Sequence, residues 1–231
     1  MLYVKNLHKS YQVGKNKYEV LKGIDFHVGK GEFVAVMGPS GSGKTTLLNC
    51  ISCYIPFDQG EITIGGARLA GQSESELAKL RNTQIGFVFQ DFMLLDVLTI
   101  RENILVPRII QGEVSREAQE LADKLTGLFG ISHIVNKYPA EISGGEKQRA
   151  AVARSLINNP LIILADEPTG NLDSKSTKEI MGILKGLHSE GRTVILITHD
   201  DEIAESARRI IRIMDGKIVE DIMNENYEEE E

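Results

Sequence analysis

Residues 38–46 read GPSGSGKTT, and no other nine residues restrict the chain as much. They satisfy G-x-x-x-x-G-K-[ST], with Gly38, Gly43, Lys44 and Thr45 at the fixed positions. Glycine is needed because the backbone must curl until successive N–H groups point inward at one anion. Pro39, Ser40, Gly41, Ser42 and Thr46 complete the loop. Lys44 supplies a mobile positive charge for the β- and γ-phosphates of a nucleotide, and the Thr45 hydroxyl is a ligand for Mg²⁺. Phe33–Met37 is an apolar, β-prone run and residues 45–53 read as a helix. A strand thus delivers the loop to a helix N-terminus, where anions are stabilised. The class expected is an α/β nucleotide-binding protein.

Four apolar runs, 33–37, 85–89, 161–165 and 194–197, have the continuous character of parallel strands buried on both faces. Each ends in polar chemistry: the phosphate loop, Gln90, Asp166-Glu167 and Thr198-His199. Open α/β sheets bind ligands outside the carboxyl ends of their strands, so four such ends at one edge predict a single site. Helical spacing runs through Ile180, Ile183, Leu184 and Leu187, and through Leu121, Leu125, Leu128 and Phe129 after an N-cap at Ser115. The N-terminal third is β-prone near 2–7, 20–28 and 61–64. From Gln90 to Leu161 the chain runs about seventy residues without a core strand, against the dozen or so of a simple crossover. The fold class expected is therefore a P-loop core with a mostly parallel sheet, an N-terminal antiparallel β subdomain and an inserted helical subdomain. Residues 1–90 and 160–222 form the core with its β subdomain, 91–159 the helical part, and 223–231 a disordered acidic tail.

No stretch approaches the 18 or so apolar residues of a membrane span, and residues 1–11 do not read as a signal peptide, so a cytosolic chain is expected. Net charge is −7, but Glu225 and residues 228–231 carry five of those negative charges; without them −2 remains. A nearly neutral body gives nucleic acid nothing to hold, and none is expected as a partner. Cys50 and Cys53 form C-x-x-C, but inside the helix after the phosphate loop, among Leu47, Leu48 and Ile51. They read as buried, reduced packing residues.

Residues 161–167, LIILADE, form a buried strand ending in two acids. Asp166 at that end can hold the nucleotide's Mg²⁺, and Glu167 sits where it can polarise a water toward the γ-phosphate as general base. Ser143-Gly144-Gly145 precedes an Ala-rich helical run, giving a second helix N-terminus with exposed N–H groups. A chain with one phosphate loop needs no second phosphate device unless the two serve one nucleotide from opposite sides.

Together these residues resemble an ATP-binding cassette (ABC) ATPase over almost the whole chain. By that resemblance Tyr11 stacks on adenine, and Gln90 is the glutamine of a loop that reaches Mg²⁺ and the reacting water. Ser143-Gly144-Gly145 is the signature, Asp173 belongs to the D-loop Gly170-Asn171-Leu172-Asp173, and His199 is the switch histidine at the γ-phosphate. The resemblance implies ATP and Mg²⁺, a second copy of the chain closing head-to-tail over two nucleotides, and a separate membrane permease holding the chain at the inner face of the membrane. Ile142 and Glu146 depart from the family's usual Leu and Gln, and Glu146 is expected to point away from the nucleotide. The string ADEPTGNLDS (165–174) is similar to the macrolide-export and lipoprotein-release branch, and IGFVFQDFMLLD (85–96) to bacitracin-type resistance ATPases. Docking of the permease is expected near Phe92, Met93, Leu94 and Leu95. The alternatives are a cell-division signalling cassette and a soluble cassette without a transport role.

Overall fold

The computed structural model describes residues 1–112, 114–225 and 227. In chain order the elements are β1 (Leu2–Val13), β2 (Asn16–Val28), β3 (Phe33–Met37), α1 (Lys44–Ile51), β4 (Gln59–Ile64), β5 (Ala67–Arg68), α2 (Glu74–Gln84) and β6 (Ile85–Phe89). Then follow α3 (Ile100–Ile110), α4 (Arg116–Leu128), α5 (Gly144–Leu156), β7 (Ile162–Asp166), α6 (Ser174–Ser189), β8 (Thr193–Thr198), α7 (Asp201–Ala204), β9 (Arg209–Met214) and β10 (Lys217–Met223). Two sheets result. One is antiparallel with order β2-β1-β4-β5; the other has order β10-β9-β3-β8-β7-β6, parallel except for β10.

The period-2 alternation of side chains divides the apolar residues of the larger sheet between two cores. Phe33, Ala35, Met37, Ile163, Ala165, Val194 and Leu196 join a cluster with residues of α3 to α6. Val34, Val36, Ile162, Leu164, Ile195 and Ile197 face the other way, against α1, α2 and the antiparallel sheet. Burial on both faces is why these strands read as continuous apolar runs. Each fully buried Ile or Leu contributes about 1.5–3 kcal/mol, so the sheet holds its strand ends in fixed positions.

Between β6 and β7 the described residues contain helices and no strand. Ser115 caps α4 by accepting from the Ala118 amide at 3.3 Å. The loop entering α3 is organised by Asn103, whose buried amide group donates to the carbonyls of Leu95, Leu98 and Thr99 and accepts from the Leu95 amide. Cys50 and Cys53 are free of any disulfide inside the second core, and burial pushes them up to about 12 and about 11, which keeps them as inert thiols.

β9 and β10 were not anticipated, because the Arg209–Met214 segment interleaves arginines with isoleucines. Two expectations need correction. The third buried strand begins at Ile162, since Leu161 is exposed and only its amide, bonded to the Gln84 carbonyl, joins the sheet edge. The acidic tail was expected to be disordered from residue 223, yet Met223 ends β10. The Asn224 side chain donates to the Glu205 and Ala207 carbonyls, and the Tyr227 hydroxyl pairs with His188 Nδ1 at 2.8 Å. Asn226 and residues 228–231 lie outside the described residues.

Candidate nucleotide site

A cavity of about 840 Å³ opens at the carboxyl edge of the parallel strands. The phosphate loop and the start of α1 form its floor, and Gln90 after β6, Asp166 and Glu167 at the end of β7, and His199 after β8 form its walls. The four strand ends expected to converge do so. The loop takes its shape from glycines that other residues could not replace. Gly38 has φ 152° and a Cβ there would lie 2.1 Å from the Ile213 carbonyl oxygen; Gly43, with φ 106°, would press a Cβ 3.0 Å from Leu21.

The residues present fit a nucleotide phosphate. α1 has no side chain capping its N-terminus, so its first-turn N–H groups are not engaged by a neighbouring carboxylate or hydroxyl. Among the described residues the buried Ser42 hydroxyl has no hydrogen-bond partner. Lys44 is folded back on its own loop, donating to the Gly38 carbonyl at 2.7 Å and the Pro39 carbonyl at 3.0 Å. Those are neutral acceptors, weaker partners for an ammonium than a phosphate oxygen. Thr45 is exposed at the helix start.

Asp166 is pushed above the ordinary carboxylate range, first by burial and then by the charge of Glu167, with Lys44 acting in the opposite sense. A divalent cation beside it would remove that penalty, so the donor set Thr45 and Asp166 suits Mg²⁺. Glu167 stands at φ 46°, a left-handed conformation that costs a non-glycine residue about 1–2 kcal/mol. Both carboxylate oxygens are oriented: Oε1 accepts from His199 Nδ1 at 2.7 Å and Oε2 from the Thr198 hydroxyl at 3.3 Å. A carboxylate only accepts, so the His199 proton sits on Nδ1 and Nε2 is the nitrogen left for a ligand. Thr198, expected at this edge, bonds Glu167, while Val20, Ile197, Asp201 and Arg212 line the cavity without having been singled out in the sequence. Arg212 lies on β9 and pairs with Asp201 at 3.1 Å and Glu220 at 2.9 Å.

Other candidates stand outside this wall. Tyr11 is on β1, opposite Tyr18, with the Lys9 ammonium 5.6 Å from its ring centroid. It does not line the cavity, although Val20 of the same hairpin does. Asp173 caps α6, accepting from the amides of Lys175 and Ser176 at 3.0 and 2.9 Å. Ser143 caps α5, and Gly144 and Gly145 form its first turn. The Ser143 hydroxyl and amide both donate to Glu146 Oε2, at 2.7 and 2.8 Å, and the Glu146 amide returns a 3.3 Å bond to the hydroxyl. Glu146 therefore folds back on its own turn. These bonds and His133, 3.1 Å from Oε1, hold its carboxyl below the ordinary range.

The fold and cavity define a P-loop nucleotide-binding protein of the α/β class. The family described as ABC transporter matches residues 21–170, and the chain belongs to that family as one of its ATPase cassettes. It is similar to the bacitracin export ATP-binding protein BceA of Halalkalibacterium halodurans, 49% identical over 219 residues that cover 94% of this chain and 87% of the relative. The macrolide export ATP-binding/permease protein MacB of Bdellovibrio bacteriovorus is 47% identical over 223 residues, 96% of this chain but 34% of that longer protein. A solved dimeric structure of the ATP-binding cassette MJ0796, in a post-hydrolysis state bound to ADP and Pi, superposes with a TM-score of 0.89. It is 40% identical and covers 97% of this chain and 99% of its own. Among the described residues no helix is long and apolar enough to cross a membrane.

Proposed function

We propose that this cassette is the ATP-hydrolysing subunit of an export or resistance complex of the bacitracin or macrolide type. Two copies close head-to-tail, so that Ser143, Gly144 and Gly145 of one copy meet the nucleotide held by residues 38–46 of the other. One observation carries this reading: among the described residues two helix starts, those of α1 and α5, are bordered by glycines, and of these two the first lines the cavity. A second phosphate device outside the wall has a use only across an interface, and the dimeric state of the MJ0796 cassette supports that use.

In the site, Lys44 would turn from its carbonyls to the phosphates, and Thr45, Asp166 and Gln90 would hold Mg²⁺. When bound, Mg²⁺ neutralises the charge that develops on the β- and γ-phosphates. Glu167, oriented by His199 and Thr198, orients and deprotonates the attacking water, and His199 Nε2 meets the γ-phosphate side. Asp173 belongs to the turn that faces the second copy, and Tyr11, on the hairpin above Val20, is the candidate adenine platform.

The permease docks on the groove between the sheet edge and the helical segment 91–159, which we take to move as a unit against 1–90 and 160–222. Tyr54, Phe87, Phe89, Met93, Ile110 and Arg154 line that groove. Met93 and Leu95 are exposed as an apolar dock requires, whereas Leu94 packs into the core. Such docking places the cassette at the cytoplasmic face of the membrane, with no nucleic-acid partner. The test is Glu167→Gln: ATP binding persists, turnover falls by about a thousand-fold, and an ATP-bound dimer accumulates on size exclusion. Unchanged steady-state turnover overturns the assignment of the base.

A further inference from the structure

The loop after β6 carries Gln90 into the cavity and Phe92–Met93 toward the groove, and it is held by side chains from two directions. From α5, Gln148 donates to the Phe89 carbonyl at 3.1 Å, and Arg154 donates to the Phe92 carbonyl at 2.7 Å and to the Met93 carbonyl. These contacts support two consecutive residues in left-handed conformations, Phe92 at φ 59° and Met93 at φ 49°. From the turn after β7, Asn171 makes three contacts. Its Nδ2 donates to Asp91 Oδ1 at 2.8 Å and to the Gln90 carbonyl at 3.3 Å, and its Oδ1 accepts from Gln90 Nε2 at 3.3 Å.

The orientation of both amides follows from chemistry alone. A carboxylate and a carbonyl can only accept, so the nitrogen end of Asn171 must face Asp91 and the Gln90 backbone. The oxygen end is then left for Gln90, whose only matching group is its NH₂. With its nitrogen held, Gln90 keeps its oxygen for the cavity it lines, and oxygen is the only end of a glutamine that ligates a hard cation. Gly170 permits the approach, because a Cβ there would stand 3.0 Å from Gln90 Nε2 and 3.1 Å from its Cδ. On the other side the same turn abuts α5: a Cβ on Gly144 would lie 3.7 Å from both Leu172 and Phe92.

We propose that Asn171 is a positioning residue for Gln90, locking its side-chain oxygen toward the cavity and tying the turn 170–173 to the loop 90–93. The proposal rests on the reading of Gln90 as a Mg²⁺ ligand given above. A shift of the turn would be felt both at Gln90 and at the exposed Met93, so one side chain joins the chemical site to the docking groove. Asn171 itself is exposed, and its replacement leaves both cores intact.

The experiment uses the full chain with Asn171→Ala, Gln90→Ala and the double substitution. Amide hydrogen exchange of residues 90–95 is measured without nucleotide, and the Mg²⁺ concentration for half-maximal ATP hydrolysis is measured at saturating ATP. Asn171→Ala should speed exchange about five-fold and raise the half-saturating Mg²⁺ about five-fold, the worth of one net hydrogen bond. In the Gln90→Ala background it should add nothing to the Mg²⁺ requirement. Unchanged exchange, or an equal Mg²⁺ shift when Gln90 is already absent, overturns the proposal. If Gln90→Ala alone leaves the Mg²⁺ requirement where it was, Gln90 is not a ligand, and exchange still decides whether Asn171 holds the loop.

Discussion

The starts of α1 and α5 are built from the same parts and left in opposite conditions. Each is a glycine-bordered turn feeding a helix. At α1, among the described residues, no side chain caps the turn, Ser42 lacks a partner and Lys44 rests on neutral carbonyls. At α5 the turn is closed on itself, because Glu146 takes the hydroxyl and the amide of Ser143. The carboxylates follow the same division: Asp166 is pushed up by burial and Glu167, while Glu146 is held down by hydrogen bonds. One turn leaves its donors without side-chain partners; the other satisfies its donors internally. Two glycine-bordered helix N-termini in one chain are thus not equivalent in the state of their donors.

Substitutions can break this contrast. Lys44→Ala has the largest expected effect, about a hundred-fold loss of ATP affinity in equilibrium binding, since charge-assisted bonds contribute about 1.5–3 kcal/mol. Affinity within two-fold of the parent would contradict the open-site reading. Asp166→Asn should abolish Mg²⁺-dependent turnover yet raise the melting temperature of the nucleotide-free protein by about 2 °C. A raised carboxyl favours the folded state below its unfolded pKa, and that contribution is lost as pH rises through the folded value, so the gain should shrink on acidification. A lower melting temperature at neutral pH would sink this. Glu146→Ala should have the opposite sign and the smallest size, a loss of about 0.5 kcal/mol, or roughly 1 °C in melting temperature, from removing a capping partner. The Glu146 contribution is present above the unfolded carboxyl pKa and lost as pH falls through the depressed folded one, so the loss should fade in acid. A loss that grows on acidification would refute it.

Much of this contrast was legible in the chain, and the illegible parts share a cause. The phosphate loop and the four buried runs are local: each needs only its own residues to be recognised. The polar groups ending those runs could be assigned to one edge because parallel strands place their carboxyl ends together. Arg212 was out of reach because arginines break the apolar run of β9 without a strict alternation, although Asp215-Gly216, with φ 48° and 78°, is an Asp-Gly hairpin signal that could have exposed β9 and β10. Asn171 touches Gln90 and Asp91 across about eighty residues of sequence, and no local pattern announces such a contact. Tyr11 failed to reach the cavity wall for a related reason: which residue of a hairpin faces a neighbouring loop depends on how two sheets meet.

The central claim, that the closed turn at Ser143 completes the open loop of another copy, is tested most directly in mixed dimers. One copy carries Lys44→Ala, the other Ser143→Ala, both in a Glu167→Gln background, and ATP trapped per purified heterodimer is counted. Head-to-tail closure places both defects in one composite site and leaves the other whole, so one nucleotide is trapped per heterodimer while either homodimer traps none. If Ser143 instead served the loop of its own chain, each site would carry one defect, and a heterodimer that traps none would contradict the account.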